Sequence, residues 1–423
     1  MSDKKIKVLT LSDHPLLPSG VATQTKYMIE ALLKSGKFEV ISLAGAIKHQ
    51  DYTVKDYGLE TYGSSWKIIP VDSYGNPTKI RSILLSEKPD MIWFMTDPRF
   101  YDWLWQMECE IRQVVPMVYY HVWDNFPTPE FNQPYYNSTD SVVTISKVTS
   151  QCVKKASPET EEVYQPHAVD PDIFKKVTDK ESLTKISEMK KNMDLEDKFI
   201  FFWNNRNARR KQSGSLVYWF KAFLDKVGHD KAVLIMHTDV NDPHGQPLEY
   251  LAGTVGLDKG QLRFSKQKLA ATDLALLYNM ADCTINIADA EGFGLSSLES
   301  LSSGTPVVNT MTGGLQEQVT DGEKWFGVGV EPCSKAIIGS QHVPYIYEDR
   351  TSEKDVVAAL DKIYQMTPEE RQILGDDGRK HVEKNYSFEK YQNFWVEYLE
   401  NLHERLGSWS DRKNYTRWES TEI

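Results

Sequence analysis

The sequence predicts an α/β protein of two Rossmann-like domains facing a cleft. Three observations carry this reading. Short apolar runs alternate with segments of helical period, the pattern of a mainly parallel sheet covered by helices on both faces. The alternation breaks at residues 175–198, a stretch rich in Lys, Asp, Glu and Ser, and then resumes. The chain has 423 residues, enough for two or three domains at roughly 150 residues each.

The first series starts with Lys7–Asp13, read as a buried strand, and a loop from His14 to Gly20. Val21–Lys34 follows as a helix through Val21, Tyr27, Met28, Ala31 and Leu32, with Gly36 as its stop. Further strands are expected at Phe38–Ala44, Trp66–Val71, Asp90–Met95, Met117–Val122 and Ser141–Ile145. In the second series the expected strands are Phe199–Trp203, Ala232–Met236, Cys283–Ile287 and Pro306–Asn309, the last closing the sheet. Helices are expected at Leu216–Val227, Leu269–Met280 and Leu295–Ser303. Tyr391–Leu402 is a strongly amphipathic helix, followed by a polar tail, 407–423, carrying Trp409, Tyr415 and Trp418. The expected division is 1–178, a linker at 179–198 with one polar helix, 199–388, and 389–423 returning to the first domain.

Composition narrows the function. Hydrophobic residues make up 40% and charged residues 26% of the chain, which argues against disorder. No apolar run approaches the ~18 residues of a membrane span. Met-Ser-Asp-Lys-Lys leads into a short strand-like run, unlike a signal peptide, so a cytoplasmic protein is expected. Lys and Arg number 49 and Asp and Glu 60, a net charge of −11. That disfavours coating of nucleic acid by bulk charge and leaves a local basic groove open. Cys109, Cys152, Cys283 and Cys333 are widely spaced and read as reduced thiols. With no HExxH and no zinc-type spacing, no protein-bound metal is expected.

Four segments could carry chemistry. The first is Asp289-Ala-Glu-Gly-Phe-Gly-Leu295, which follows a strand and opens a helix. Gly292 and Gly294 permit close backbone approach, and the amides of Phe293, Gly294 and Leu295 would lie at a helix N-terminus, a natural anion site. Glu291 precedes them and Glu299 lies about two helical turns on. Carboxylates beside a phosphate site make sense as acceptors from sugar hydroxyls; an acidic first turn with a surface Glu is the plainer alternative. The second is Arg206-Asn-Ala-Arg-Arg-Lys211, with four cations in six positions after a strand. These repel one another unless they share an anion, and Arg206 and Lys211 could clamp a diphosphate. A solvated basic loop is the alternative, and a nucleic-acid phosphate contact a third reading that the net charge disfavours. The third is Pro18-Ser-Gly-Val21, where Ser19 and Gly20 form a small-residue turn at a helix start; the GxGxxG dinucleotide fingerprint is absent. The fourth is Tyr119-Tyr-His121-Val-Trp-Asp124, at the carboxyl end of a strand, where His121 could bond a sugar or sit in the core.

Taken together, these segments resemble the retaining GT-B glycosyltransferases of the GT4 group (glycosyl transferases group 1), from Lys7 to about Leu402. The E-x7-E signature runs from Glu291 to Glu299 and is followed by Gly304-Thr-Pro-Val-Val and Gly313-Gly-Leu. Arg206 and Lys211 match the family's basic pair. Tyr164 to Asp170 is similar to its exit from the first domain, and Ser19-Gly20 stands where a double glycine is common. His121 falls where the family places an active-site His. The resemblance implies a GT-B fold, two Rossmann-like domains with a C-terminal helix crossing back. It also implies retaining, metal-independent, front-face transfer of a hexosyl or pentosyl group from a nucleotide-diphosphate sugar, most simply a UDP-sugar, with no further cofactor. Arg206 and Lys211 would neutralise the departing diphosphate. Glu291 and the Gly292–Leu295 amides would hold sugar and phosphate, Glu299 the ribose, and His121 the sugar.

A glycan, a lipid carrier, a protein or a hydroxylated DNA base all fit as acceptor, and a homodimer is compatible. Rivals are an NAD-dependent oxidoreductase, disfavoured by the missing glycine fingerprint, and a sugar- or nucleic-acid-binding protein without turnover. Arg209 and Arg210 exceed the family pair, and residues 331–350 look inserted.

Overall fold

A computed structural model describes residues 4–416. Two units emerge. The first comprises Met1–His167, Ser340–Pro344 and Glu389–Ile423; the second comprises Ala168–Gly339 and Tyr345–Phe388.

The first unit is built on eight strands: β1 (Ile6–Asp13), β2 (Phe38–Gly45), β3 (Lys55–Tyr57), β4 (Trp66–Pro70), β5 (Met91–Thr96), β6 (Met117–His121), β7 (Ser141–Thr144) and β8 (Glu162–Tyr164). Their order is β3-β4-β2-β1-β5-β6-β7-β8. All neighbours are parallel except β3, which runs antiparallel to β4 at the edge. The unbroken apolar runs of the central strands reflect burial on both faces; every residue of β5 is buried. β3, Lys-Asp-Tyr, is fully exposed and so carries no apolar signature. Helix α1 (Gly20–Lys34) packs Ala22, Met28, Ile29, Leu32 and Leu33 inward. It ends where Gly36 takes a left-handed φ of 71°.

The second unit holds a six-stranded, wholly parallel sheet. Its strands are β9 (Phe199–Asn204), β10 (Ala232–His237), β11 (Leu262–Ser265), β12 (Cys283–Asn286), β13 (Val307–Thr310) and β14 (Gly327–Val330). The order is β11-β10-β9-β12-β13-β14. The sheet does not close at β13 as expected: β14, Gly-Val-Gly-Val, adds an edge that is too short and too rich in glycine to stand out. Residues 331–350 form a separate antiparallel hairpin, β15 (Ser334–Ile338) and β16 (Ile346–Arg350). The unit begins at Ala168 and includes a polar helix, Lys180–Asn192, that buries Ile186. Leu295–Ser302 forms helix α2.

The last long helix, α3 (Phe388–Leu406), packs on the first unit. Its buried positions, Tyr391, Trp395, Leu399, Leu402 and Leu406, make one stripe. Tyr391 Oη donates to the Gln24 carbonyl of α1 at 3.0 Å. Trp395 meets Trp93 and Tyr120 edge to face, at 5.7 and 4.9 Å between ring centres. Beyond it, Ser408 Oγ bonds Asp90 at 2.7 Å and Trp409 Nε1 donates to the Pro89 carbonyl. Trp418 lies outside the described residues. All four cysteines are free thiols. Among the described residues, no helix is long and apolar enough to cross a membrane.

Candidate functional site

Strand order decides which loops meet. In the second unit the chain runs outward from β9 to β11 on one side, then returns to β12 and proceeds to β14 on the other. β9 and β12 are therefore the adjacent strands at which the order reverses. At such a switch point the loops leaving the carboxyl ends diverge and open a crevice. The basic loop leaves β9, and the Asp289–Gly294 loop leaves β12. Topology alone brings Lys211 to Glu291.

Each cation of the basic loop has a carboxylate of the chain itself nearby. Arg206 forms a two-pronged pair with Asp242, Nε to Oδ2 at 2.6 Å, with 62% of its side chain exposed. Arg209 pairs with Glu348 of β16. Arg210 donates to the Ala290 carbonyl at 2.6 Å and lies 3.7 Å from Glu291. Lys211, only 9% exposed, bonds the Glu291 carboxylate, itself 12% exposed. The repulsion read from the sequence is thus relieved by protein carboxylates, without any outside anion. The loop is held from below by Asn207, whose buried amide donates to the Gln246 carbonyl at 2.7 Å and accepts from Ser213 Oγ.

The glycines do two different jobs. Gly294 caps α2 with a φ of 92°, and a Cβ there would collide with Leu315. Gly314 packs so closely that a Cβ would meet the Phe293 backbone, and its amide donates to the Glu291 carbonyl at 3.0 Å. The Phe293 ring is core, edge-on to Tyr386; only its backbone lies along the loop. Within α2 the Gly294 carbonyl receives the amides of Ser297 and Leu298. The amides of Leu295 and Ser296 have no acceptor inside the helix. A cation, a carboxylate and a helix start thus converge at one end of the sheet.

Glu299 sits on α2 and accepts from Tyr278 Oη at 2.7 Å; that hydroxyl in turn accepts from Asn204 Nδ2 at 2.8 Å. Burial pushes the Glu299 carboxyl up to about 7, partly offset by the Tyr278 bond. The sign follows from linkage. A raised folded value means the native state holds the proton more tightly, so stability is full below about pH 4.5 and declines as pH rises through about 7. Glu299→Gln is expected to flatten that decline, with thermal melts from pH 5 to 8 as the check; parallel curves for both proteins would refute it.

In the first unit, Ser19 caps α1, accepting from the Ala22 amide at 3.1 Å, while its hydroxyl donates to Asp13 at 2.7 Å. Tyr74 Oη donates to the other oxygen of Asp13. Serine in place of glycine is explained by this anchor. Gly20 is the first helical residue. His121 ends β6 fully buried, with Nε2 2.8 Å from Tyr136 Oη and no protein partner for Nδ1. Burial lowers its pKa to about 3, so the ring is neutral. Tyr119, Trp123 and Tyr136 flank the ring, with ring centres 4.9, 6.0 and 5.2 Å away.

Several site residues carry no sequence signal. Asp242, Tyr278, Asp289, Glu348 and Arg350 are scattered acids, bases and a tyrosine whose roles arise only from strand order. Asp289 lay inside the first segment singled out, and Glu348 and Arg350 inside 331–350, noted only for its inserted look.

Residues 184–381 match the family model for glycosyl transferases group 1. D-inositol 3-phosphate glycosyltransferase of Corynebacterium urealyticum is 40% identical over 76 residues, and the match spans 18% of each chain's length. Sucrose-phosphate synthase from Thermosynechococcus elongatus superposes with a TM-score of 0.74 at 16% identity, covering 95% of this chain and 100% of that one. Anabaena HepE in complex with UDP and glucose gives a TM-score of 0.67 at 13% identity over 94% and 100% of the two chains. The fold is GT-B. The match to the group 1 glycosyltransferase model takes in somewhat under half of the chain, within the second unit apart from its first residues and its end.

Proposed function

We propose that this protein moves a sugar from a nucleotide-diphosphate donor, a UDP-sugar, to a hydroxyl acceptor with retention of anomeric configuration. The observation that carries the reading is the nearly buried Lys211 on Glu291, in the loop that leads into the start of α2, whose N-cap, Gly294, has no capping side chain. Breaking the bond from the sugar's anomeric carbon to the diphosphate oxygen leaves negative charge on that oxygen. A fixed ammonium and a helix start in a shielded crevice favour that charge most in the transition state. Arg206, whose own side chain is largely exposed in its pair with Asp242 and so free to move, swings to the diphosphate as a second cation. The acceptor hydroxyl attacks on the face the diphosphate is leaving, and its proton passes to the departing phosphate oxygen. No carboxylate nucleophile is then required, and the chain's own cations take the part of a metal. Glu291 orients Lys211 and receives a sugar hydroxyl, and Glu299 receives the ribose hydroxyls. Neutral His121 supports Tyr136 and the end of β6; Ser19 and Gly20 shape the turn above β1.

The relatives support the donor class: HepE is seen with UDP and glucose, and the Escherichia coli trehalose-6-phosphate protein with UDP-2-fluoro glucose, at a TM-score of 0.68 and 15% identity over 93% and 98% of the chains. Calorimetric titration of the full chain with UDP and the other nucleoside diphosphates tests the reading. Binding of at least one is expected; binding of none would sink it.

A further inference from the structure

The inserted hairpin and the surplus arginines belong to one charge network. Glu348 on β16 is 1% exposed and accepts from two guanidiniums, Arg209 (Nη1 to Oε2 at 2.8 Å) and Arg350. Arg350 also reaches Asp289, Nη1 to Oδ2 at 3.2 Å, and that carboxylate is likewise 1% exposed. The Asp349 amide donates to the Asp289 carbonyl at 2.7 Å. Gln212 Nε2 donates to Asp289 Oδ2 at 2.6 Å, and the Asp289 amide donates to the Arg210 carbonyl at 2.8 Å.

The spacing is the informative part. Arg209 stands two residues before Lys211, on the same short 3-10 turn. Asp289 stands two residues before Glu291. One strand of the hairpin therefore grips both loops of the switch point, each at the same remove from the residue that faces the crevice. Buried carboxylates held by paired guanidiniums make a directional clamp, because losing one partner strands a charge away from water. Arg350 is 36% and Arg209 60% exposed at the side chain, so the clamp is buried on its acidic side only.

We propose that Glu348 and Arg350 are positioning residues: the β15–β16 hairpin sets the separation and aim of Lys211 and Glu291, and through them the grip on the donor diphosphate. The proposal rests on the donor reading above. It accounts for Arg209 as the hairpin's anchor, not as a further phosphate ligand.

The test uses the full chain and two variants, Glu348→Gln and Glu348→Asp, followed by hydrogen exchange and by calorimetry with UDP. Glu348→Gln is expected to speed exchange in residues 206–212 and 289–295 while the β9 and β12 amides stay protected. It should weaken UDP binding on the order of tenfold, and Glu348→Asp, which keeps the charge, should recover most of that loss. Should Glu348→Gln fail to fold, Arg209→Gln removes only the exposed partner and is held to the same outcomes. Unchanged exchange in the two loops overturns the proposal. So do looser loops with unchanged UDP affinity. If the wild-type chain binds no UDP, the donor reading fails, and the exchange data alone then decide whether the hairpin holds the loops.

Discussion

Lys211→Ala is expected to lower turnover of a UDP-sugar donor about 10²–10³-fold. The ammonium is almost shielded from water, where a unit charge acts more strongly than on the surface. It cannot be replaced by solvent, and the nearest other cation to Glu291, Arg210, is 3.7 Å away and also engaged with the Ala290 carbonyl. The loss should fall mainly on kcat, since the charge it meets develops as the bond breaks. Lys211→Arg should not rescue it, because a planar fork does not fit a site built for a point charge. Arg206→Ala should cost less, its side chain being mostly exposed and already paired. Donor hydrolysis and transfer, followed by mass spectrometry, provide the measurement. Turnover unaffected by Lys211→Ala would mean that the diphosphate charge is met elsewhere.

Trp395→Ala should destabilise the first unit by about 3–5 kcal/mol. The indole is fully buried between Trp93 and Tyr120, both themselves fully buried. A methyl group cannot fill that volume, and the sheet beneath is too rigid to collapse onto it. Two edge-to-face contacts are lost with the cavity's dispersion. Urea unfolding monitored by the remaining tryptophans would give the shift; a change below about 1 kcal/mol would show that α3 contributes little.

The fold was legible wherever a strand is buried on both faces. β1, β5, β6, β9 and β10 stand out as apolar runs because all but their end residues are buried. β3, β11 and β14 do not, since edge strands keep polar or glycine positions. The candidate site was legible where backbone chemistry is written in glycine, at Gly292 and Gly294, and where charges crowd, at Arg206–Lys211. Asp242 and Glu348, which answer two of those charges, were not. They lie 36 and 139 residues from Arg206 and Arg209; Glu291 was legible as a residue, but its pairing with Lys211, 80 residues away, emerges only from the order of strands. His121 shows another limit: its position at a strand end is readable in the sequence, while its burial among three aromatic neighbours is not.

The return of α3 to the first sheet has a consequence during biosynthesis. A ribosome finishes β8 long before it reaches Phe388. The whole second unit must be translated in between, which at about 5–20 residues per second takes on the order of ten seconds or more. Throughout that interval the indole of Trp93 and the ring of Tyr120 lack their cover, an oily surface suited to a chaperone. Nascent chains stalled before Phe388 should be cleaved by protease within the first unit, and released full-length chains should resist; equal resistance would show that this sheet matures without its final helix.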